Sequence, residues 1–321
     1  CMGSVTELLD DLEIMTESEV VQLFAWRKAG LERLRRRLGD TRIGYMEQGS
    51  YELLGENETG CLDKLDYLNQ LLLPVAGKPA FERANGMLET FGFSKGHVSG
   101  LIRNTCEGGL HSGMMLRALA DLTISSGIEI KTGAEVVRYT EEEQRVSVEV
   151  KDPFRDEAIC FLSGSLVLCT NAFTKALMPE EEIRPGRGQV IITEPVDNLN
   201  FKGIFHFDKG YYYFRELDGR VLIGGGRNLD FEGETTLSFE LSDRIQQDLE
   251  AKLRDVILPG RQFKTAQRWA GIMGFGPTKY PVVKAFSSRV FGAFRMGGMG
   301  VALGSNVAIQ VADLVYGKQG G

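Results

Sequence analysis

The clearest helical pattern lies near the start of the chain. Apolar residues recur at helical spacing, at Val20, Leu23, Phe24, Leu31 and Leu34. Thr16 and Glu19 form a capping box before them, and Gly39 follows the last apolar turn. The pattern predicts one long helix over residues 16–38.

The next 130 or so residues alternate between helical and extended patterns. Strands with turns are predicted over 41–54, and a leucine-rich helix over 56–76 that ends at Pro74. A second helix follows Gly113, with Met115, Leu119 and Leu122 on one face, and stops at Gly127. Strand patterns come next, at 128–130, 136–137, 146–150 and 165–170. The last is continuously apolar, which is typical of a parallel strand covered on both faces, and the order suggests part of a three-layer α/β domain.

Residues 183–291 differ in character, because short apolar strands are separated by tight turns. The strands are predicted at 190–193, 204–207, 211–214 and 221–223. Asp218-Gly219 is a strong signal for a two-residue hairpin. One helix, over roughly 242–257, interrupts the strands. The region therefore predicts an antiparallel sheet crossed by a helix.

The end of the chain joins a buried strand to a glycine-dense turn. The apolar run Val290–Phe294 leads into Arg295–Gly304, and a helical pattern continues to Leu314. Glycines at 297, 298 and 300 let a flat ligand approach main-chain N–H groups closely. The helix that follows directs its positive dipole end at the same place. This arrangement suits a planar cofactor that becomes electron-rich on reduction.

Composition and charge exclude several classes of function. The 321 residues are 43% hydrophobic and 25% charged, and the net charge of −7 argues against nucleic acid or an anionic membrane as the main partner. No apolar stretch has the length of a membrane span. The five cysteines (1, 61, 106, 160 and 169) are scattered, which favours free thiols in a reducing, cytoplasmic compartment. Because the chain has only three histidines, neither a histidine-based metal cluster nor a Ser-His-Asp triad is expected. The sequence leaves the oligomeric state open.

Five motifs follow one another in a specific order. They are Arg187-Gly-Gln-Val-Ile, Gly210–Arg215, Gly219–Arg227, Arg268–Gly276 and Gly297–Val301. Together they resemble the FAD-dependent D-amino-acid oxidase/glycine oxidase superfamily, in its amine- and amino-acid-oxidising branch, over about residues 1–316. The resemblance implies a mixed α/β fold in which two domains are interleaved. The FAD-binding, Rossmann-like domain comprises 1–44, 100–178 and 287–321, and the antiparallel-sheet substrate domain comprises 45–99 and 179–286.

The resemblance also implies where FAD would lie. Val136 matches the valine whose backbone receives the adenine, and Thr170, Asn171 and Ala172 lie along the ADP portion. The isoalloxazine loop corresponds to Arg295, Gly297, Gly298, Met299, Gly300 and Val301. Taken singly, each motif also has a plain structural interpretation: Val136 as strand core, Thr170-Asn-Ala as an ordinary turn and Gly224-Gly-Gly as a bulge. Their joint order favours flavin chemistry.

Two departures from the family pattern matter. The glycine-rich GxGxxG turn of the ADP-binding βαβ unit does not occur in the sequence, so the cofactor domain is expected to be partial and to hold FAD weakly. Met273 stands where amino-acid oxidases of this group place a carboxylate-clamping arginine, and Thr278 replaces an aspartate. Arg268 or Arg215 could substitute, although a sheet-edge ion pair is the simpler role for Arg215. A secondary amine, or an amine with a distant carboxylate, fits better than a small α-amino acid.

The reaction implied by the resemblance is oxidation of a C–N bond, with hydride transfer from the carbon beside a neutral amine to flavin N5. The small-molecule substrate is expected to contact Tyr211, Tyr213, Trp269 and Met273. His206 is interpreted as a structural histidine, and no catalytic residue is assigned. Two alternatives stay open: a non-catalytic fragment of such an enzyme, and an FAD-dependent 2-hydroxy-acid dehydrogenase. The electron acceptor is also open.

Overall fold

The computed structural model describes residues 2–155 and 157–317. The α-helices in this part of the chain are α1 (Val5–Ile14), α2 (Glu17–Leu38), α3 (Asp40–Ile43), α4 (Leu65–Ala76), α5 (Leu88–Phe91), α6 (Ser112–Ser125), α7 (Asp243–Lys252) and α8 (Gly300–Val315). Short 3-10 helices span Glu56–Lys64, Asn85–Met87, Asn171–Ala176 and Arg227–Leu229. A π-helical turn, Leu253–Ile257, extends α7.

Fourteen strands are described in the same residues. They are β1 (Ser50–Leu54), β2 (Phe81–Arg83), β3 (Gly100–Asn104), β4 (Val136–Glu141), β5 (Val146–Lys151), β6 (Ala158–Ser163), β7 (Leu166–Leu168), β8 (Arg184–Thr193), β9 (Ile204–Phe207), β10 (Tyr212–Leu217), β11 (Arg220–Gly225), β12 (Thr265–Phe275), β13 (Val282–Ala285) and β14 (Val290–Phe294). The mixed α/β class predicted from the sequence is confirmed.

The chain divides into two compact units. The first comprises the described residues of Cys1–Lys28 together with Ile43–His111 and Arg187–Gly271. The second comprises Ala29–Arg42 and the described residues of Ser112–Gly186 and Ile272–Gly321. These bounds differ from the predicted domains, which grouped residues 1–28 with the cofactor domain. The assignment of FAD binding or substrate binding to a unit stays a prediction.

The first unit is built on an eight-stranded sheet. Its strand order is β12-β8-β11-β10-β9-β1-β3-β2. Strands β8, β11, β10 and β9 are antiparallel to one another, as are β1, β3 and β2, whereas β1 and β9 are parallel. The antiparallel sheet predicted for residues 183–291 is therefore confirmed as far as β11, and β12 adds its edge, whereas β13 pairs with β14 in a separate sheet. The sequence did not indicate that β1, β2 and β3 would extend it.

The turn between β10 and β11 is the hairpin that the sequence predicts. Leu217 pairs with Arg220 across the turn. Asp218 and Gly219 both have positive φ, at 51° and 75°. Two consecutive left-handed residues define the type I′ turn, whose twist matches that of the strands it joins.

One face of this sheet forms an aromatic core with α7. Phe205 and Phe214 stack with ring centroids 4.8 Å apart. Ile245 and Leu249 of α7 are buried in the same cluster, and the π-helical turn adds Leu253 and Val256. The predicted crossing helix is confirmed, including its inward residues. Since β-strand side chains alternate, the opposite face carries a different set of residues.

The second unit contains two three-stranded sheets. In one, β14 lies between β13 and β7, antiparallel to the first and parallel to the second. All five residues of β14 are buried. The other sheet has the order β4-β5-β6 and is antiparallel. Buried Val146, Leu168, Met178 and Val290 form one cluster between them.

The long helix α2 begins and ends as its caps predict. Thr16 Oγ1 accepts a hydrogen bond from the Glu19 backbone N–H at 3.3 Å, and a Glu19 carboxylate oxygen accepts one from the Thr16 N–H at 2.8 Å. This reciprocal pair is a capping box. Gly39, with a φ of 82°, follows the last turn and donates to the Arg35 carbonyl.

Four local predictions were wrong or only partly right. Residues 41–54 contain α3 as well as β1. The stretch 56–76 is a 3-10 helix followed by α4, which passes Pro74 and ends at Ala76, because left-handed Gly77 caps it. Residues 128–130 form no strand, since they lack a pairing partner in the described chain and both isoleucines are exposed. Residues 165–170 were predicted to be a strand covered on both faces, but β7 lies at the edge of its sheet and Val167 is 36% exposed.

Among the helices of residues 2–155 and 157–317, none combines the length and the apolar character needed to cross a bilayer.

Candidate functional site

The glycine-dense turn lies between the buried strand β14 and helix α8, as the sequence predicts. Arg295 and Gly297 both have positive φ, at 66° and 51°. The Gly297 N–H donates to the Gly274 carbonyl of β12 at 2.9 Å. Left-handed backbone is costly for arginine, so contacts elsewhere must hold the turn in this shape.

Asn171 supplies those contacts. It follows β7 and is itself left-handed, with a φ of 43°. Its Oδ1 accepts hydrogen bonds from the backbone N–H groups of Arg295 at 3.1 Å and Met296 at 3.2 Å. Because β7 and β14 are parallel neighbours, their carboxyl ends bring residues 171 and 295 together. The predicted ADP-side turn and the predicted isoalloxazine loop therefore meet at one side chain.

The first turn of α8 presents backbone donors without acceptors. Met299 precedes the helix and provides no side-chain cap. Within the described residues, the N–H groups of Gly298, Gly300 and Val301 donate to no acceptor. A helix N-terminus carries about half a positive charge from aligned peptide dipoles. The turn is thus suited to oxygen or nitrogen acceptors that gain negative charge.

The space in front of these donors is open. A Cβ atom added to Gly298 would come no nearer than 3.7 Å to another residue, at Met273 Sδ. At Gly300 the nearest atom would be Met296 Cβ, at 3.9 Å. Protein packing therefore does not require glycine at either position. Glycine at both positions would let a flat ligand approach the backbone closely, as the sequence predicts.

The Arg295 side chain is used within the protein. Its guanidinium donates to the Tyr280 carbonyl from Nε at 3.4 Å and from Nη2 at 3.3 Å. It lies against Gly276, where any Cβ atom would collide with it. Arg295 therefore supports the turn through its side chain, and its backbone N–H is held by Asn171.

The remaining predicted cofactor residues also lie in the second unit. Thr170 and Ala172 flank Asn171, and Thr170 Oγ1 lies 2.9 Å from Thr174 Oγ1. Ala172 is buried, at 3% exposure. Val136 begins β4 on the other sheet, beside an irregularity in its pairing with β5. The structure brings 170–172 and the glycine turn together, whereas Val136 lies on a separate strand layer.

The predicted substrate residues are divided between the units. Tyr211, Tyr213 and Trp269 belong to the first unit and are each 40–42% exposed. The alternation predicted for the tyrosines is confirmed, because Tyr212 is buried on the opposite face, where its hydroxyl donates to Asp248 Oδ2 at 2.7 Å. Met273 belongs to the second unit, where its Sδ lies beside Gly298.

The two arginines considered as replacement anchors have different partners. Arg268 donates to Gln246 Oε1 at 2.9 Å and forms an ion pair with Glu250. Arg215 donates to the Leu110 carbonyl at 2.6 Å, and no ion pair joins it to any acid in the described residues. The predicted sheet-edge ion pair of Arg215 is wrong, because β10 is an interior strand between β9 and β11. Arg268 therefore has a carboxylate partner, whereas the Arg215 side chain donates only to backbone carbonyls among the described residues.

A buried polar network in the first unit was not foreseen. Arg187 makes a two-point contact with Glu234, with nitrogen–oxygen distances of 3.0 and 2.6 Å. Gln189 donates to both Glu234 oxygens and accepts from Gln246 Nε2 at 3.0 Å. The Arg187-Gly-Gln motif could be recognised in the sequence. Its partner, Glu234, follows 47 residues after Arg187, and no local pattern indicates that the two would pair.

Across residues 2–155 and 157–317, no group of three or more His, Cys, Asp or Glu side chains is placed to hold a metal ion.

Comparisons with known proteins identify the family and the fold. A family model described as FAD dependent oxidoreductase matches residues 3–314. Glycine oxidase from Geobacillus kaustophilus is 20% identical, with a TM-score of 0.73 over 94% of this chain and 80% of that one. L-proline dehydrogenase from P. horikoshii is 15% identical, with the same TM-score over 92% and 80%. L-amino acid deaminase from Proteus vulgaris is 13% identical, with a TM-score of 0.72 over 95% and 82%. Among curated protein sequences, none matches this chain.

Proposed function

Because the chain belongs to the FAD-dependent oxidoreductase family, whose cofactor is FAD, we propose that it oxidises the C–N bond of an amine or an amino-acid derivative. Bound FAD supplies N5 as the acceptor of a hydride from the carbon beside the nitrogen. The protein's part is to bind, orient and desolvate the two reactants. The glycine oxidase, proline dehydrogenase and amino acid deaminase structures support this reaction class.

The observation that carries the proposal is the trio of unpaired N–H groups at the start of α8. Within the described residues, the N–H groups of Gly298, Gly300 and Val301 have no acceptor, and α8 adds its dipole at the same end of the helix. Such donors stabilise negative charge that develops during a reaction and need no reorganisation when it appears. FAD bound here would gain negative charge on reduction, and these three N–H groups would stabilise that charge. The turn is therefore equipped to favour reduction of the cofactor.

The proposed ligands follow the prediction from the sequence. We propose that FAD contacts Val136, Thr170, Asn171, Ala172, Arg295, Gly297, Gly298, Met299, Gly300 and Val301. The proposed substrate contacts are Tyr211, Tyr213, Trp269 and Met273. The position of the Met273 sulfur beside Gly298 supports its place near the reacting groups. Since methionine cannot clamp a carboxylate, the substrate is proposed to be a secondary amine or an amine with a distant carboxylate.

A valine at position 298 tests the cofactor site directly. The open space at Gly298 and its ordinary φ mean that Gly298→Val should leave the stability of the FAD-free protein unchanged within about 0.5 kcal/mol. The same side chain would block close approach to the turn, so FAD affinity should fall at least about tenfold. Equilibrium dialysis measures the affinity, and thermal unfolding measures the stability.

Gly164→Val is the matched control. Gly164 is exposed, lies in the same unit and has no atom within 4 Å of an added Cβ. This variant should bind FAD as the unchanged protein does. Equal FAD affinity in all three proteins would remove the turn from the cofactor site.

Anaerobic bleaching of the flavin identifies the reaction. The FAD-loaded protein is mixed with secondary amines, amines with a distant carboxylate, α-amino acids and 2-hydroxy acids. Bleaching by the first two groups supports the proposal, whereas bleaching by hydroxy acids alone identifies a 2-hydroxy-acid dehydrogenase. If the protein shows no flavin absorbance after unbound FAD has been removed, the chain is the non-catalytic alternative.

A cytoplasmic location is also part of the proposal. The described cysteines, Cys61, Cys106, Cys160 and Cys169, are free thiols, and Cys1 lies outside the described residues. Free thiols are typical of a reducing compartment.

A further inference from the structure

The glycine turn before α8 begins in a strained conformation. Arg295 follows β14, whose five residues are all buried, and it has a left-handed φ of 66°. A left-handed conformation is unfavourable for a residue with a Cβ atom, so Arg295 would relax to negative φ if nothing held it. Because β14 is fixed in the core, such a relaxation would move the residues that follow. The path of the chain into α8 therefore depends on the groups that hold Arg295.

Asn171 holds this residue and the next one from the end of the neighbouring strand β7. Its Oδ1 accepts the Arg295 N–H at 3.1 Å and the Met296 N–H at 3.2 Å. The same oxygen fits beside β12 only because residue 274 is glycine, since a Cβ atom there would lie 2.9 Å from it. Asn171 Oδ1 therefore lies where β12 and the glycine turn meet.

Gly274 also fixes the next residue of the turn. Its carbonyl accepts the Gly297 N–H at 2.9 Å. Residues 295–297 are thus held one after another, and Gly298 follows directly. The Gly298 N–H is the first of the three at the start of α8 that have no acceptor in the described chain. Asn171 and Gly274 therefore determine where these donors lie.

The position of such donors matters more for reduced FAD than for oxidised FAD. A hydrogen bond to an ionised acceptor is about twice as strong as one between neutral groups. Donors that are already in place stabilise new charge without any reorganisation of the protein. Because reduction makes the flavin electron-rich, a shift of the N–H groups at the start of α8 weakens binding of the reduced form most.

We propose that Asn171 is a positioning residue that raises the affinity of this protein for reduced FAD relative to oxidised FAD, and so favours transfer of hydride from the substrate. The inference rests on the proposed function and deepens it, because it assigns control of the cofactor's reduction to one side chain. Asn171 acts through the N–H groups of the turn, whose path its oxygen fixes.

The ratio of two FAD affinities tests this role without turnover. Equilibrium dialysis of the full chain is done with oxidised FAD in air and with dithionite-reduced FAD under nitrogen. Glycine adopts the left-handed φ of 43° without strain, so Asn171→Gly removes only the side chain and its hydrogen bonds. The affinity for reduced FAD should fall at least about tenfold more than that for oxidised FAD. This corresponds to a two-electron potential lower by about 30 mV.

The same ratio distinguishes positioning from a purely structural role. If Asn171 only supported the fold of the turn, both affinities would fall by the same factor. Equal losses for the two forms of FAD, or no loss for either, overturn the proposal. An unchanged protein that binds neither form overturns both this proposal and the proposed function.

Asn198→Gly is the matched control. Asn198 is also left-handed, with a φ of 56°, and its side chain makes no hydrogen bond in the described chain. The variant should leave both FAD affinities unchanged. A ratio that falls as far in Asn198→Gly as in Asn171→Gly overturns the proposal.

Gly274→Ala tests the same contact from the β12 side, and serves should Asn171→Gly fail to fold. The added methyl group would lie 2.9 Å from Asn171 Oδ1 and 3.0 Å from the Ala172 nitrogen, too close for both to stay in place. It should displace Asn171 and lower the affinity ratio about threefold or more. Gly271→Ala is its control on the same strand, since a Cβ atom there meets no atom within 4 Å. An unchanged ratio in Gly274→Ala, or the same change in Gly271→Ala, overturns the proposal.

Anaerobic bleaching of the flavin separates this inference from the proposed function. With saturating amine, Asn171→Gly should bleach about threefold or more slowly, because part of the negative charge has developed in the transition state. The amine concentration that gives half the maximal rate should stay unchanged. If no amine bleaches the flavin while the affinity ratio still falls in Asn171→Gly, the proposed function fails and the role of Asn171 stands. If amines bleach the flavin and the ratio is unchanged, the role of Asn171 fails and the proposed function stands.

Discussion

At the scale of single residues, the shape of the glycine turn depends on Asn171. Asn171→Ala removes both hydrogen bonds to residues 295 and 296 and places alanine in a left-handed conformation. Two hydrogen bonds at about 1 kcal/mol each and a left-handed alanine at about 1 kcal/mol predict a loss of about 2–3 kcal/mol in the free energy of unfolding. Urea denaturation measures it.

Two companion variants separate these contributions. Asn198→Ala changes a left-handed asparagine, φ 56°, whose side chain makes no hydrogen bond in the described chain, so it should cost only about 1 kcal/mol. Asn171→Asp keeps an acceptor for both N–H groups and should recover most of the loss. If Asn171→Ala costs no more than Asn198→Ala, the side chain does not hold the turn.

Glu58 gives a residue-level prediction for pH. Burial raises the pKa of its carboxyl, and the nearby charges of Glu52 and Asp208 add to the effect, against the lowering hydrogen bond from the Gly55 N–H. A raised pKa means that the folded state binds the proton more tightly than the unfolded state. The resulting stabilisation is complete below the unfolded pKa near 4.5 and is lost as pH rises through the folded pKa.

Glu58→Gln should therefore remove a destabilising charge at neutral pH. The variant keeps an acceptor for the Gly55 N–H and should be more stable than the unchanged protein at pH 7, by less than about 1 kcal/mol because solvent screens a half-buried group. The difference should shrink between pH 7 and pH 4. Urea denaturation across this range checks the sign, and a difference that grows toward pH 4 would contradict it.

At the scale of elements, one buried ion pair ties β8 to the loop after β11. Arg187 and Glu234 have side chains only 9% and 1% exposed. Glu234→Ala leaves a buried guanidinium and the Gln189 amide without their acceptor, so it should cost about 3–5 kcal/mol. The double variant Arg187→Met/Glu234→Met should cost less than Glu234→Ala alone, because no charge stays buried.

An exposed pair provides the comparison. Arg138 and Glu149 form a similar contact at 2.6 Å between β4 and β5, but the arginine side chain is 68% exposed. Glu149→Ala should cost less than about 1 kcal/mol by denaturant unfolding. Similar costs for Glu149→Ala and Glu234→Ala would show that burial does not set the strength of the Arg187 pair.

Elements fixed by neighbouring residues were predictable, and those that depend on distant partners were not. The capping box at Thr16 and the hairpin at Asp218 each need only residues a few positions apart, and both are confirmed. Residues 128–130 have a strand composition, but a strand also needs a partner. Pro74 predicted a helix end, yet near the last turn its missing N–H leaves a single carbonyl unbonded, and left-handed Gly77 sets the end.

The same distinction holds for the candidate site. The glycine turn and α8 could be predicted because consecutive residues form both of them. The contact of Asn171 with residue 295 spans 124 positions, and it arises only because β7 and β14 pair in parallel. The Arg187–Glu234 pair spans 47 positions and likewise needs the fold to bring its partners together. Sequence could identify these residues as polar, but not which partner each would meet.

At the scale of the whole molecule, each unit contains a buried apolar cluster of its own, and this predicts how the protein unfolds. The first core is the aromatic cluster around Phe205 and α7, and the second joins Val146, Leu168 and Val290. Units with independent cores tend to unfold as distinct cooperative transitions. Differential scanning calorimetry should therefore resolve two heat-absorption peaks.

Glu234→Ala and Asn171→Ala identify the peaks, because residue 234 belongs to the first unit and residue 171 to the second. Each variant should lower the Tm of one peak and leave the other within about 1 °C, since a loss confined to one unit leaves the other's free energy unchanged. FAD should raise the Tm of only the peak that Asn171→Ala lowers, because a ligand stabilises the unit that binds it. A single peak whose Tm falls equally in both variants would contradict the prediction of two transitions. It would mean that the units unfold as one cooperative structure, coupled through α2 and β12, which contain residues of both units.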